Sequence, residues 1–132
     1  MSERYKKMYK LLRDRKSRES YLRSKLSTLI SSQIRGLRLK YPMTQAELAE
    51  AAEMKQSRIS AMERPGETQF NLETLIRTAA ALHVGLKVEF VSMSEMLEWE
   101  NRFSQDEFNV TKIEDDIAFL EPACNGSTAQ GI

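Results

Sequence analysis

Apolar residues recur at intervals of three and four positions through much of the chain, which is the spacing of an amphipathic helix. The first such run predicts one long helix over residues 17–40, which ends before Pro42 because the residue preceding a proline avoids helical geometry. A second helix is predicted to begin after Thr44, whose side chain can cap it while Glu47 returns the bond in a capping box. The inward positions of these two helices are Leu22, Leu26, Leu29, Ile30, Ile34, Leu37, Leu48 and Ala52.

Two shorter helices are predicted in the middle of the chain. One covers residues 55–62, with Ile59 and Met62 facing inward. The next opens at Asn71, a residue suited to capping, and Gly85 is expected to end it. Its inward face repeats Leu72, Leu75, Ile76, Ala79 and Leu82.

After Gly85 the apolar period changes from that of a helix to that of a strand. Residues 86–91, LKVEFV, alternate apolar and charged positions and so predict a half-buried β-strand. One strand in an otherwise helical chain has no internal partner, so we predict antiparallel pairing with a second copy, through Val88 and Phe90. The alternative is an extended segment that lies on the core of its own chain.

The C-terminal part is predicted to hold one more helix and an acidic tail. Ser94 is expected to cap that helix, and its Trp99 either seals one end of the core or contacts a partner. Beyond Phe103 the chain is predicted to be extended and finally disordered. The predicted fold is therefore all-α, with five helices, a short C-terminal β-strand and an acidic tail. The predicted boundaries are a basic N-terminal extension over 1–19, a domain over 20–93, and a short helix with a partly disordered tail over 94–132.

Composition narrows the class of protein. The 132 residues are 41% apolar and 30% charged, and no apolar run is long enough to span a membrane, so we expect a cytoplasmic globular protein. Cys124 is the single cysteine, which excludes an intrachain disulfide and a cysteine-based zinc cluster. His83 is the only histidine and no nucleophile, metal motif or glycine-rich phosphate loop accompanies it, so we expect neither an enzyme nor a cofactor.

Charge is distributed unevenly along the chain. Residues 1–40 hold thirteen Lys and Arg residues against three acids, whereas residues 94–132 hold two against nine. This asymmetry indicates an anionic partner for the basic end and repulsion of that partner by the acidic end. The basic side chains of residues 6–18 either touch that partner or are simply solvated.

Residues 44–64 carry the most informative pattern: a capped helix, a very short connection and a second short helix with matching inward positions. Ala49 lies where two steeply crossing helices come closest, and a larger side chain there would push them apart. This is the construction of a helix-turn-helix.

The segment resembles the phage-repressor class of helix-turn-helix regulators, the XRE or Cro type. The matching residues are Thr44, Gln45, Leu48, Ala49, Gln56, Ser57, Ile59, Ser60, Glu63, Asn71 and Leu72. The resemblance covers about residues 20–93 and implies a lambda-repressor-like domain that binds double-stranded DNA. Two positions depart from the family pattern. Glu53 stands where a glycine with positive φ is usual, which costs about 1 kcal/mol if that geometry is kept, and Lys55 replaces the usual small polar cap.

The resemblance also implies which side chains contact DNA, because the second helix of the motif lies in the major groove. The expected base contacts are Lys55, Gln56, Ser57, Arg58 and Ser60. The expected phosphate contacts are Thr44, Gln45, Arg35 and Arg64, and Arg38 and Lys40 are further candidates. A merely solvated helix face is the alternative for all of these polar residues.

The function implied is sequence-specific regulation of transcription, in this family more often repression than activation. A homodimer would present two recognition helices about 34 Å apart to a pseudo-palindromic operator. The alternative is an antitoxin-type interaction protein that neutralises a toxin and represses its own operon, with the strand, Trp99 and the acidic tail as its partner surface. Co-purification of a small basic protein would favour this alternative.

Overall fold

The computed structural model describes residues 3–121 and contains seven α-helices in that part of the chain. They are α1 (Glu3–Leu12), α2 (Arg15–Lys40), α3 (Gln45–Ala52), α4 (Gln56–Met62), α5 (Leu72–Ala81), α6 (Met93–Arg102) and α7 (Ile117–Leu120). A 3₁₀ turn over Ile113–Asp115 precedes α7. Cys124 and the end of the predicted disordered tail lie outside the described residues. None of these helices is both long and apolar enough to cross a membrane.

One core lies between the C-terminal half of α2 and the helices α3, α4 and α5. Leu48, Ile59 and Met62 are completely buried at its centre. The other buried members are Ile34, Leu37, Ala49, Ala52, Ala81 and Leu82. The inward positions predicted for the two helices of the motif are thus confirmed, and the small side chain of Ala49 is buried at 3% exposure where α3 packs.

The turn between α3 and α4 has the geometry that glycine normally provides. Thr44 caps α3 through its Oγ1, which accepts a hydrogen bond from the Glu47 N–H at 3.0 Å, and Glu47 Oε1 accepts from the Thr44 N–H at 2.8 Å. At the other end Glu53 adopts φ 57° and ψ 48°. The Met54 N–H then donates to the carbonyl of Ala49 at 2.8 Å. The structure therefore contains the predicted capping box, and Glu53 has the positive φ that is usual for glycine at this position.

The end of α5 differs from the prediction that Gly85 stops it. The helix ends at Ala81, and His83 takes the left-handed conformation with φ 63°. The N–H of Val84 donates to the Ala79 carbonyl at 3.1 Å, and that of His83 donates to Ala80 at 3.1 Å, which together form a Schellman motif. The helix is closed by these bonds before Gly85 is reached.

Residues 86–91 do not form the predicted strand in the single chain. Within residues 3–121 no backbone hydrogen bond involves residues 85–91, and every one of these residues is exposed. Val88 and Phe90 are 71% and 105% exposed, so the segment does not lie on its own core either. The prediction was wrong for the isolated chain because a strand needs a neighbouring backbone, and helices α3 to α5 offer none.

Helix α6 is capped by Ser92 and not by the predicted Ser94. The backbone of Ser92 is extended, with φ −69° and ψ 155°, so its Oγ can accept the Glu95 N–H at 3.3 Å. Ser94 lies inside the first turn of the helix. Trp99, on this helix, is half-buried and makes an edge-to-face contact with Phe103 at 6.4 Å between ring centroids.

The segment after α6 packs back onto the domain, which corrects the expectation of an extended tail from Phe103 onward. Phe108 and Val110 pack against the core. At Gly36 of α2 a Cβ would stand only 3.0 Å from the Gln105 carbonyl oxygen, so this close approach favours glycine. Both Phe108 and Val110 side chains are partly buried, and removing their apolar surface from water helps to hold an otherwise polar segment against the domain.

A second anchor of this segment lies at the end of α5. The Ile113 N–H donates to the His83 carbonyl at 2.9 Å. His83 Nδ1 lies 2.7 Å from Glu114 Oε2, and this hydrogen bond lowers the pKa of the Glu114 carboxyl. His83 thus contacts the C-terminal segment.

The N-terminal helices contact α6. Arg4 Nη2 donates to Asn101 Oδ1 at 3.0 Å, and the Tyr21 hydroxyl donates to Glu100 Oε2 at 2.7 Å. Burial and this contact with Glu100 both raise the pKa of Tyr21. Helix α2 is continuous from Arg15 to Lys40.

Candidate nucleic-acid interface

Helix α4 has one buried face and one exposed face. Ile59 and Met62 are completely buried and fix the rotation of the helix about its axis. This rotation leaves exposed the residues Lys55, Gln56, Ser57 and Arg58. Lys55 is the N-cap of α4, but its side chain makes no capping hydrogen bond. Its ammonium group is therefore not used to cap the start of the helix. Four of the five predicted base contacts therefore lie together at the start of α4.

The fifth predicted base contact, Ser60, is placed differently. It is half-buried, and its Oγ accepts a hydrogen bond from Arg64 Nη1 at 3.0 Å. Arg64 is also paired with Glu67. Ser60 and Arg64 thus form a small cluster at the C-terminal end of α4, away from its first turn.

A buried ion pair links the first helix of the core to the end of the motif. Arg38 donates to Glu63 through Nε at 2.6 Å and through Nη2 at 2.9 Å. The two side chains are only 9% and 2% exposed. The hydrogen bonds to Glu63 raise the pKa of the Arg38 guanidinium, whose Nη1 also donates to the Met43 carbonyl at 2.8 Å. The sequence suggested Arg38 as a further phosphate contact, but the structure buries its side chain in the domain.

This ion pair also holds a predicted phosphate contact. Gln45 Nε2 donates to Glu63 Oε1 at 3.2 Å, and Arg35 Nη1 lies 3.8 Å from the same oxygen. Gln45 is the first residue of α3, where backbone N–H groups are free to bind an anion. The structure therefore brings Gln45 and Arg35 together around Glu63. Thr44 is adjacent, but its hydroxyl is used in the capping box.

A shallow groove separates the first turn of α4 from that of α5. Its lining includes Lys55, Arg58, Asn71, Thr74 and Arg77. Arg58 Nη2 donates to Thr74 Oγ1 at 2.7 Å, and Arg77 donates to the carbonyl of Glu53. The exposed cations of α4 are thus bordered by polar groups of α5.

The residues predicted to contact a second copy or a partner are Val88, Phe90 and Trp99. They lie after α4 in the sequence and do not contact one another as a group. Val88 and Phe90 project from the exposed segment described above. Trp99, in α6, packs on Phe103, the residue that follows this helix.

Sequence reasoning missed two roles at this interface. The burial of Arg38 could have been predicted from the sequence, because this residue shares one face of α2 with Ile34 and Leu37. A buried arginine requires an acidic partner. The contact of Thr74 with Arg58 could not have been predicted, since no rule of spacing connects a threonine of α5 with an arginine of α4.

Comparison with known proteins gives one match. Residues 34–88 match the family model described as helix-turn-helix. No curated protein and no solved structure matches the chain. In the part of the chain that the structure covers, no group of three or more His, Cys, Asp or Glu residues is placed to hold a metal ion.

Proposed function

We propose that the protein is a DNA-binding regulator that represses transcription from a specific operator, because residues 34–88 match the helix-turn-helix family model, which is of the XRE type. A homodimer inserts α4 of each copy into the major groove of a pseudo-palindromic site. The observation that carries this proposal is the exposed cluster at the start of α4, held in place by the completely buried Ile59 and Met62.

The chemistry of the exposed cluster supports base recognition. Gln56 is able to pair with both N6 and N7 of an adenine, and Lys55 or Arg58 with O6 and N7 of a guanine. The free N–H groups at the start of α3, next to Gln45, suit a phosphate oxygen. Together these groups would fix the register of the protein on the duplex and read bases within it.

Selection of bound duplexes from a random DNA pool tests the proposal. We expect the wild type to enrich an inverted repeat, and the Gln56→Ala/Arg58→Ala variant to lose or alter it, because each good base pairing contributes about 1–3 kcal/mol of discrimination. Arg23→Ala/Ser24→Ala is a matched control, since it removes one cation and one neutral polar group from the exposed face of α2. No enrichment by a folded wild-type protein would refute the proposal.

The exposed segment over residues 85–91 supports a two-fold dimer. If two copies pair antiparallel about Val88, Lys87 lies opposite Glu89 of the other copy and Leu86 lies opposite Phe90. All charged positions then meet opposite charges, which stabilises cross-strand pairs, whereas pairing centred on Lys87 or Glu89 would place like charges together. The unpaired backbone and apolar side chains of this segment are what such pairing would satisfy.

A cysteine placed at the proposed two-fold axis tests this register. In a Cys124→Ser background, Val88→Cys is expected to form a disulfide-linked dimer under mild oxidation, because directly opposed residues have Cα atoms about 4.5–5.5 Å apart. Lys87→Cys is the matched control, since the two copies of residue 87 would be diagonal neighbours about 7–8 Å apart. Equal cross-linking at both positions, or none at Val88→Cys, would contradict the register.

A second candidate function is the antitoxin-type interaction protein. It is favoured by the exposed apolar side chains of α7, Ile117, Phe119 and Leu120, which are 69%, 64% and 55% exposed and are preceded by three acids. Such a surface suits a basic partner with an apolar groove. The pool selection alone does not separate the candidates, because an antitoxin that represses its own operon would also enrich a duplex. Co-purification of a small basic protein, lost when Ile117, Phe119 and Leu120 are replaced by serine, would support the antitoxin.

A further inference from the structure

Thr74 lies outside the two helices of the motif but contacts one of the predicted base-reading side chains. Arg58 Nη2 donates a hydrogen bond to Thr74 Oγ1 at 2.7 Å. Arg58 lies on the exposed face of α4, whereas Thr74 is only 5% exposed. The contact therefore ties a long surface side chain to a residue that packs into the domain.

The acceptor oxygen of Thr74 is held in a fixed position. The Thr74 N–H donates to Asn71 Oδ1 at 2.8 Å, which caps α5. The Thr74 carbonyl accepts a hydrogen bond from Thr78 Oγ1 at 2.8 Å. Both main-chain groups of Thr74 are thus engaged at a helix that packs against α3, and the Arg58 guanidinium is oriented by a rigid element.

One hydrogen bond to Thr74 leaves Arg58 able to read a base. A guanidinium has five N–H donors, and each of its two-donor edges uses a different hydrogen of Nη2. When Thr74 occupies one of these hydrogens, the other edge stays complete. A complete edge is what O6 and N7 of guanine require for a bidentate contact.

We propose that Thr74 is a specificity-determining positioning residue, which holds Arg58 so that the free edge of its guanidinium reads a guanine in the major groove. This inference rests on the proposed function of α4 as the recognition helix. Without the Thr74 hydroxyl, Arg58 would have to be ordered when DNA binds and would have phosphates as alternative partners, so discrimination at that base pair would fall.

Thr74→Val in the full chain tests the inference, since valine keeps the shape of threonine and removes the acceptor. The measurement is the ratio of Kd values for two duplexes, the selected operator and the operator changed at the base pair where Arg58→Ala relaxes selection. We expect this ratio to fall about two- to ten-fold, which corresponds to the cost of ordering one long side chain. Thr74→Ser, which keeps the hydroxyl, should retain the wild-type ratio.

Two controls separate positioning from a structural effect. Ser27→Ala removes the hydroxyl of a buried residue of α2, 7% exposed, that donates to the Thr68 carbonyl at 2.8 Å, and should leave the ratio unchanged. The ratio is also insensitive to partial unfolding, because both duplexes are measured with the same preparation. In an Arg58→Ala background, Thr74→Val should have no further effect on the ratio.

The possible results distinguish a failure of the positioning role of Thr74 from a failure of the proposed function. If the wild type selects an operator but Thr74→Val keeps its ratio, or changes it equally with and without Arg58, the positioning role is refuted and the function stands. If the wild type selects no operator, both the proposed function and the role of Thr74 are refuted.

Discussion

Replacing Arg38 with methionine is expected to lower the free energy of unfolding by about 3–5 kcal/mol, which is the typical cost of removing one partner of a buried ion pair. The reason is Glu63, whose side chain is 2% exposed and would lose both guanidinium hydrogen bonds. The uncharged Gln45 amide, 3.2 Å from Glu63 Oε1, and the half-exposed Arg35 guanidinium, 3.8 Å from the same oxygen, are expected to compensate only in small part. Chemical denaturation of Arg38→Met and wild type measures the difference.

A surface pair of the same chemistry provides the control. Arg23 Nη2 lies 2.9 Å from Glu19 Oε2, but the two side chains are 52% and 48% exposed. Arg23→Met should therefore cost less than about 1 kcal/mol. Equal losses for the two methionine variants would show that the burial of the Arg38 pair has no energetic consequence.

The double variant Arg38→Met/Glu63→Leu distinguishes a lost attraction from a stranded charge. With both charges removed, much of the loss is expected to be recovered, because apolar residues of similar volume often replace a buried ion pair at little cost. DNA binding is expected to be weaker than that of the wild type in this variant, since Gln45 and Arg35 would no longer have Glu63 as a common contact. Stability and binding would thus be separated in one protein.

The parts of the fold that follow from the sequence are those decided by local chemistry. The capping box at Thr44 and Glu47 involves residues three positions apart, and the inward face of α4 follows from Ile59 and Met62 on one helical stripe. The family pattern marks position 53 as one where a positive φ is usual, and the Met54 bond to Ala49 accompanies that geometry at Glu53. It closes α3 and compensates in part for the missing glycine.

The parts that the sequence did not determine depend on distant contacts. Phe108 and Val110 are two apolar residues in a polar stretch, and their packing on the core, with the bonds of Ile113 and Glu114 to His83, distinguishes that stretch from a disordered tail. The choice of Ser92 over Ser94 as the cap depended on which serine has extended backbone. Residues 86–91 have the alternation of a strand, but alternation alone does not supply the neighbouring backbone.

The candidate site follows the same division. The exposed start of α4 was predictable, because helical periodicity states which residues face away from the core. The partners of those residues were not, since Arg58 bonds to Thr74 sixteen positions away and Arg38 bonds to Glu63 twenty-five positions away. The first contact holds an exposed arginine in place, and the second keeps an arginine inside the domain.

The affinity for the operator is expected to fall steeply with salt. Arg35, Lys40 and Arg64 give three candidate phosphate cations per copy, hence six in a dimer, and six contacts predict a slope of log K against log salt of about −5. Between 50 and 200 mM salt, affinity should then fall about 10³-fold. Fluorescence anisotropy with the selected duplex over this range measures the slope. A flat response would contradict phosphate binding by this surface.

Single substitutions test which residues contribute the phosphate contacts and which contribute the base contacts. Arg35→Ala should make the slope shallower by about 2, because each dimer loses two phosphate cations. Gln45→Ala should weaken all sequences alike and leave the slope unchanged, since its amide displaces no counterion. Gln56→Ala should also keep the slope but alter the preferred base. If Gln56→Ala changed the slope and Arg35→Ala changed the base preference, the assignment of bases to α4 and phosphates to the groups around Glu63 would be reversed.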